Sequence, residues 1–231
     1  MLQSAQTAAR RILASRGDRE ALKKAGHIIL RNVPRTATPA DIRREINKVG
    51  VRGVYDIAID YEYFKPAERA ILTLVSPNYL QDNLRALNNL AISGISIQAS
   101  PYITKTEVPT RQRMRGHQGR LKAAQRGALT GHGPRAGIAN NETTVVLGGL
   151  PARTSTGRLA SELKKFQIAQ SAKGEPQIVK LSLPPDTFSM TAKFLITLTS
   201  TTEAHRFVRK LHASYFRLYG EEIPVTAKLI L

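Results

Sequence analysis

One order of secondary-structure elements occurs twice along this chain, and that repetition constrains the fold more than any single motif. The first copy opens with HIILRNVP (27–34), where β-branched and apolar residues run into Asn-Val-Pro, the pattern of a buried strand and its exit turn. TPADIRREINKVG reads as a helix: Thr38 caps it, Pro39 suits its first turn, Asp41 completes a capping box and Gly50 stops it. VYDIAIDYEYF and ERAILTLVS then alternate as half-buried strands. SPNYLQDNLRALNNL restarts a helix, with Ser76 as cap, Pro77 in its first position and Leu80, Leu84 and Leu87 on one face. ISIQASPY is the closing strand.

The second copy begins with the strand TTVVLGGLP, followed by the helix TSTGRLASELKKFQI, with Leu159, Leu163 and Phe166 on one face. IVKLSL and AKFLITLTS are strands, and Pro184 and Pro185 break pairing in the longer loop between them. STTEAHRFVRKLHASYF reads as a helix, opened by a capping box from Ser200 to Glu203 and burying Ala204, Phe207, Val208 and Leu211. IPVTAKLIL alternates as a final strand. Each copy is a split β-α-β unit. The expected class is therefore α+β: two ferredoxin-like β-α-β-β-α-β domains, 27–102 and 143–231, joined by a basic extended linker over 103–142. A basic helix over 1–26 precedes them.

This arrangement, with exit turns Asn32-Val33-Pro34 and Gly149-Leu150-Pro151, resembles two RNA recognition motif (RRM) domains in tandem, over about 165 of the 231 residues. In that family the third strand reads K/R-G-F/Y-G/A-F/Y-V-x-F/Y, and its aromatics stack on bases. The corresponding runs here are Ala67-Glu68-Arg69-Ala70-Ile71-Leu72-Thr73-Leu74 and Thr191-Ala192-Lys193-Phe194-Leu195-Ile196-Thr197-Leu198. The third-strand stacking positions are thus Arg69 and Ile71, then Lys193 and Leu195. The first-strand positions are Ile29 and Val146. None is aromatic. Period-two parity puts Ala70, Leu72 and Leu74, and likewise Phe194, Ile196 and Leu198, under the helices, so only the open sheet face departs from the family.

What replaces the aromatics suggests two uses for that face. Arg69 and Lys193 occupy equivalent points and can hold a phosphate, with Arg31 near Ile29. Ile29, Ile71, Val146 and Leu195 would form an apolar patch that invites a protein strand, helix or loop. Both uses stay open from sequence. Tyr55, Tyr61 and Tyr63 are the aromatics that could compensate; parity groups Tyr55 with Ile57, Ile59 and Tyr61 without saying which face is buried.

Charge narrows the class of partner. The chain carries 35 Lys and Arg against 17 Asp and Glu, a formal net charge of +18, which points to a polyanion. No acid occurs between Glu107 and Glu142, whereas Arg111, Arg113, Arg115, Arg120, Lys122, Arg126 and Arg135 do. With scattered Gly and Pro and little apolar periodicity, that stretch cannot build a core; it suits threading along phosphates, or serves as a solvated linker. The start, MLQSAQTAARRILASRG, has three arginines and no acid. Its composition is that of a mitochondrial matrix presequence, or of a short basic helix belonging to the folded protein.

Catalytic chemistry finds no foothold. Cysteine is absent, and the histidines (His27, His117, His132, His205, His212) lack metal-ligand spacing. Gly131-His132-Gly133 with Gly137 follows no strand and contains Pro134, so it is not read as a nucleotide loop. No P-loop, serine elbow or carboxylate pair occurs, and no apolar run reaches the roughly 18–20 residues of a membrane helix. The resulting expectation is a non-enzymatic protein without cofactor, metal or small-molecule substrate. Its partners would be RNA, in first place ribosomal RNA, and neighbouring proteins of a mitochondrial ribonucleoprotein. A free splicing or translation factor in mitochondrion, nucleus or cytoplasm, and a protein-interaction module, are the alternatives.

Overall fold

The computed structural model describes residues 25–103, 131–138, 142–171, 174–181 and 188–231. These group into two compact units, one from 25–61 and 66–103, the other from 62–65 and the described residues after 130.

In the first unit, strand β1 (His27–Arg31) leads to helix α1 (Pro39–Lys48). The capping box forms: the Asp41 N–H donates to Thr38 Oγ1 and the Thr38 N–H to the Asp41 carboxylate, both at 3.1 Å. The Thr38 hydroxyl also donates to the Asp41 carboxylate at 2.7 Å, and that bond first, then the Thr38 N–H, with Arg44 alongside, holds the Asp41 carboxyl below its usual range. Strands β2 (Val54–Glu62) and β3 (Lys65–Leu74) are joined through Tyr63 and Phe64, both at positive φ, as a tight hairpin turn requires. Ser76 caps a short turn (Pro77–Tyr79) that runs into α2 (Leu80–Leu87). Asn83 in α2 is buried because its amide is spent on the backbone of Arg52: Nδ2 donates to the carbonyl at 2.7 Å, and Oδ1 accepts from the N–H at 3.0 Å. The closing segment differs from expectation. β4 (Ala91–Ile92) and β5 (Ile95–Ser96) form a small hairpin about Ser93 and Gly94, and only then does β6 (Gln98–Tyr102) join the main sheet. Strands of the first unit lie in the order β6-β1-β3-β2.

The second unit contains a two-residue strand β7 (Gly133–Pro134) and a turn (Arg135–Gly137) before β8 (Thr144–Pro151). Then come α3 (Thr156–Glu162), β9 (Ile178–Lys180), β10 (Thr191–Thr197) and α4 (Thr201–Leu211). The expected long helix stops early. Ala213 turns left-handed at φ 55° and the chain becomes β11 (Ser214–Leu218), which pairs with β12 (Glu221–Leu229) across Tyr219 and Gly220. Alternation explains the switch: Phe216 and Leu218 enter the core as neighbours two apart, which a helix could not arrange. The Ser200 box forms only by half. The Glu203 N–H donates to Ser200 Oγ at 3.2 Å, but the Glu203 carboxylate turns to the Gln167 N–H (2.9 Å) and to Arg206 (2.7 Å).

The strand order of this unit is β11-β12-β8-β10-β9. Without β11, both sheets run last-first-third-second, the arrangement of the split β-α-β fold. Phe194, Ile196 and Leu198 lie in one core with Leu159, Phe166 and Phe207, as parity requires, and the Phe166 and Phe207 rings meet at 4.7 Å between centres, tilted by 58°.

Candidate nucleic-acid interface

Strand register builds the sheet face opposite the core from rows of side chains. In the first unit Arg31 faces Arg69 on one side and Gln98 on the other. Ile29 lies between Ile71 and Ser100, and His27 between Thr73 and Tyr102. Two guanidinium-bearing residues directly opposite would repel. Asp60 relieves this, since Arg69 Nε donates to its carboxylate at 2.9 Å. Arg69 is therefore already paired within the fold, while exposed Arg31 has no ion pair among the described residues.

In the second unit Lys193 faces Gly148 and, beyond it, Thr226; Leu195 lies in the row of Val146 and Lys228. Gly148 keeps this row close: a Cβ there would stand 3.3 Å from Thr226 Oγ1 and 3.5 Å from Lys193 Cγ. Gly149 is required at the exit turn, because its φ is +98° and a Cβ would meet the Pro224 carbonyl oxygen at 2.5 Å. No carboxylate pairs with Lys193 or Lys228 among the described residues. Burial of the ammonium, then repulsion from Lys65 and Lys228, holds the Lys193 pKa below its usual value. Lys65 belongs to the hairpin residues grouped with this unit, where the Phe64 N–H donates to the Gly131 carbonyl at 3.0 Å.

The aliphatic members of both faces are not the exposed patch expected of them. Ile29 is 8%, Ile71 6%, Val146 9% and Leu195 5% exposed. Of the second-strand group, Ile57, Ile59 and Tyr61 are buried, whereas Tyr55 at the strand's start is 76% exposed. Arg135 is half-buried in the turn before β8, at φ 54°, rather than in an extended strap. Arg111, Arg113, Arg115, Arg120, Lys122 and Arg126, and residues 1–24, where a basic helix is expected, lie outside the described residues.

Three features escaped the sequence reading. Lys228 was legible from alternation, since Val225 and Ala227 are buried and Thr226 and Lys228 point the other way. The Asp60–Arg69 pair was not, because it depends on how β2 and β3 align. The hairpin between β11 and β12 also brings Tyr219 under two guanidiniums, Arg153 at 4.8 Å and Arg158 at 5.8 Å from the ring centre. Among the described residues no three His, Asp or Glu side chains gather as a metal site, and no helix is long and apolar enough to cross a membrane.

No protein-family model and no curated protein matches the chain. Solved structures do. An Sxl-lethal protein/RNA complex is 13% identical over 89% of this chain and 99% of its own, with a TM-score of 0.31. The first two RRM domains of yeast poly(U) binding protein Pub1 are 12% identical over 89% and 99%, with a TM-score of 0.31. The three N-terminal RNA binding domains of the yeast splicing factor Prp24 are 13% identical over 89% and 66%, with a TM-score of 0.29. Strand order and helix placement make this chain two split β-α-β domains in tandem, with aliphatic and cationic side chains at the sheet positions Ile29, Arg69, Ile71, Val146, Lys193 and Leu195.

Proposed function

We propose that this chain is a non-enzymatic, RNA-associated structural protein of the mitochondrial ribosome. In this reading the basic stretch 103–142 follows ribosomal RNA phosphates, while the two domains hold RNA backbone and neighbouring proteins. The observation that carries it is the chemistry of the six platform positions: Ile29, Arg69, Ile71, Val146, Lys193 and Leu195. An aromatic platform contributes about 1–3 kcal/mol per stacked base, and none is present at these positions. The cations on the same faces, Arg31, Lys193 and Lys228, suit phosphate contacts, which position a protein without reading sequence. The acid-free run between Glu107 and Glu142 supports the same conclusion, and the arginine-bearing, acid-free start supports a matrix destination.

The test is sedimentation of the tagged protein from gently lysed mitochondria, with and without nuclease, across a salt series. The expected result is comigration with a ribosomal subunit that withstands moderate salt and is lost on RNA digestion. A light peak that never meets the subunits would overturn the ribosomal assignment and favour a free RNA-binding regulatory factor.

A further inference from the structure

The helical side of the second unit carries charge that the sheet reading leaves unused. α3 and α4 pack their apolar sides on the sheet through Leu159, Phe207 and Leu211, so their outer surface lies opposite the face of Lys193 and Lys228. The turn after α3 presents exposed Lys164 and Lys165. It is fastened to α4: Arg206 donates to the Lys165 carbonyl at 2.9 Å, and the Lys165 ammonium and Arg206 guanidinium lie 5.5 and 5.2 Å from the Phe166 ring centre. Arg209 and Lys210 follow Arg206 by three and four residues, so they share its exposed side of the helix.

The carboxylates beside this surface are already committed. Glu162 is paired with Arg158 at 2.7 Å, and Glu203 with Arg206 and the Gln167 N–H. Lys164, Arg209 and Lys210 have no ion pair among the described residues. The turn after α3 and the outer side of α4, joined by the Arg206–Lys165 bond, therefore present exposed cations that no carboxylate pairs among the described residues: Lys164, Arg209 and Lys210.

We propose that this outer helical surface is a second contact for RNA backbone, with Lys164, Arg209 and Lys210 as its phosphate-binding residues. The inference rests on the RNA-associated reading above and adds a geometry to it. The unit holds polyanion on opposite sides, as suits a domain packed inside folded RNA, and a single strand laid across one sheet would not use the helices.

The experiment measures binding of the full chain to a mixed-sequence RNA hairpin of about 20 base pairs, from about 50 to 200 mM salt, by fluorescence anisotropy. The triple variant Lys164→Gln, Arg209→Gln, Lys210→Gln removes three charges from exposed positions. Its circular dichroism and melting are compared with wild type. Each duplex phosphate contact contributes about 0.9 to the slope of log affinity on log salt, so three lost contacts flatten it by about 2.7. Across this salt range the wild type then loses about 40-fold more affinity than the variant. A Lys164→Arg, Arg209→Lys, Lys210→Arg variant keeps the wild-type slope. Wild-type binding with an unchanged slope in the glutamine variant overturns this surface and leaves the RNA reading standing. Failure of the wild type to bind the hairpin at any salt overturns both.

Discussion

The two sheets share one strand order and treat charge in opposite ways. In the first, Arg31 and Arg69 face each other, and Asp60 on the neighbouring strand takes one of them into an ion pair. In the second, Lys193 and Lys228 lie on one face, and no carboxylate pairs with either among the described residues. The scaffold does not decide which sheet can hold an anion; the presence of one acid at one register position does. A cation already paired in the fold must exchange its partner before it can hold a phosphate. A cluster of like charges gains from any anion that arrives.

The largest expected effect separates the two units by their cores. Phe194→Ala empties a fully buried site in the second unit and should cost that unit about 3–5 kcal/mol. Leu72→Ala should cost the first about 2–5 kcal/mol. Chemical denaturation with probes in each unit should show each variant lowering its own transition; equal lowering of both by either variant would break the description as two separate cores.

A second contrast concerns RNA. Lys193→Gln with Lys228→Gln should flatten the salt dependence of binding to a single-stranded oligonucleotide by about 1.4, at about 0.7 per contact, whereas Arg69→Gln should leave it near wild type. Asp60→Asn should release Arg69 and steepen the slope by about 0.7. That substitution should also cost about 1 kcal/mol of stability, since the pair is partly exposed. A large effect of Arg69→Gln in the wild-type background would show that Asp60 does not hold it back.

Lys193→Met removes a repelled, partly desolvated charge. Its effect on stability at neutral pH should stay within about 0.5 kcal/mol, while RNA affinity falls. The sign follows from the depressed pKa. Folding disfavours the charged form, so the penalty is present below the folded-state pKa and disappears as pH rises past the ordinary lysine value. The wild type should therefore gain stability relative to Lys193→Met in alkaline titration, and a loss would contradict the repulsion.

The smallest effects compare two caps. Thr38→Ala should cost the first unit about 1 kcal/mol. The Asp41 carboxyl is held low chiefly by Thr38, so its stabilisation is present above the ordinary carboxylate range and is lost as pH falls through the depressed value. Thr38→Ala should reduce that acid-side loss. For Glu203 the main cause is Arg206, so Arg206→Gln rather than Ser200→Ala should reduce the corresponding loss in the second unit. Thermal melts between about pH 5 and 2 would separate the two cases.

Much of this molecule could be read along the chain, because caps and alternation are local. Thr38, Pro39 and Asp41 mark the start of α1 with side-chain bonds that span three residues. Phe194, Ile196 and Leu198 point inward because side chains along a strand change sides at every step. The overlong second helix of the second copy shows the boundary of such reading. Residues His212 to Phe216 suit either state alone, and the choice of a strand came from the pairing of Phe216 with Ile223 and the burial of Leu218.

The candidate interface divides along the same line. That its platform positions are Ile29, Arg69, Ile71, Val146, Lys193 and Leu195 follows from the order of residues and the period of a strand. That Asp60 engages Arg69, that Glu203 abandons its cap for Arg206, and that Ile29 and Leu195 are buried rather than open was decided only by tertiary structure. Periodicity orders residues along one strand or helix. Ion pairs and burial depend on the register between elements far apart in the chain, and register is set by the packing of all of them together.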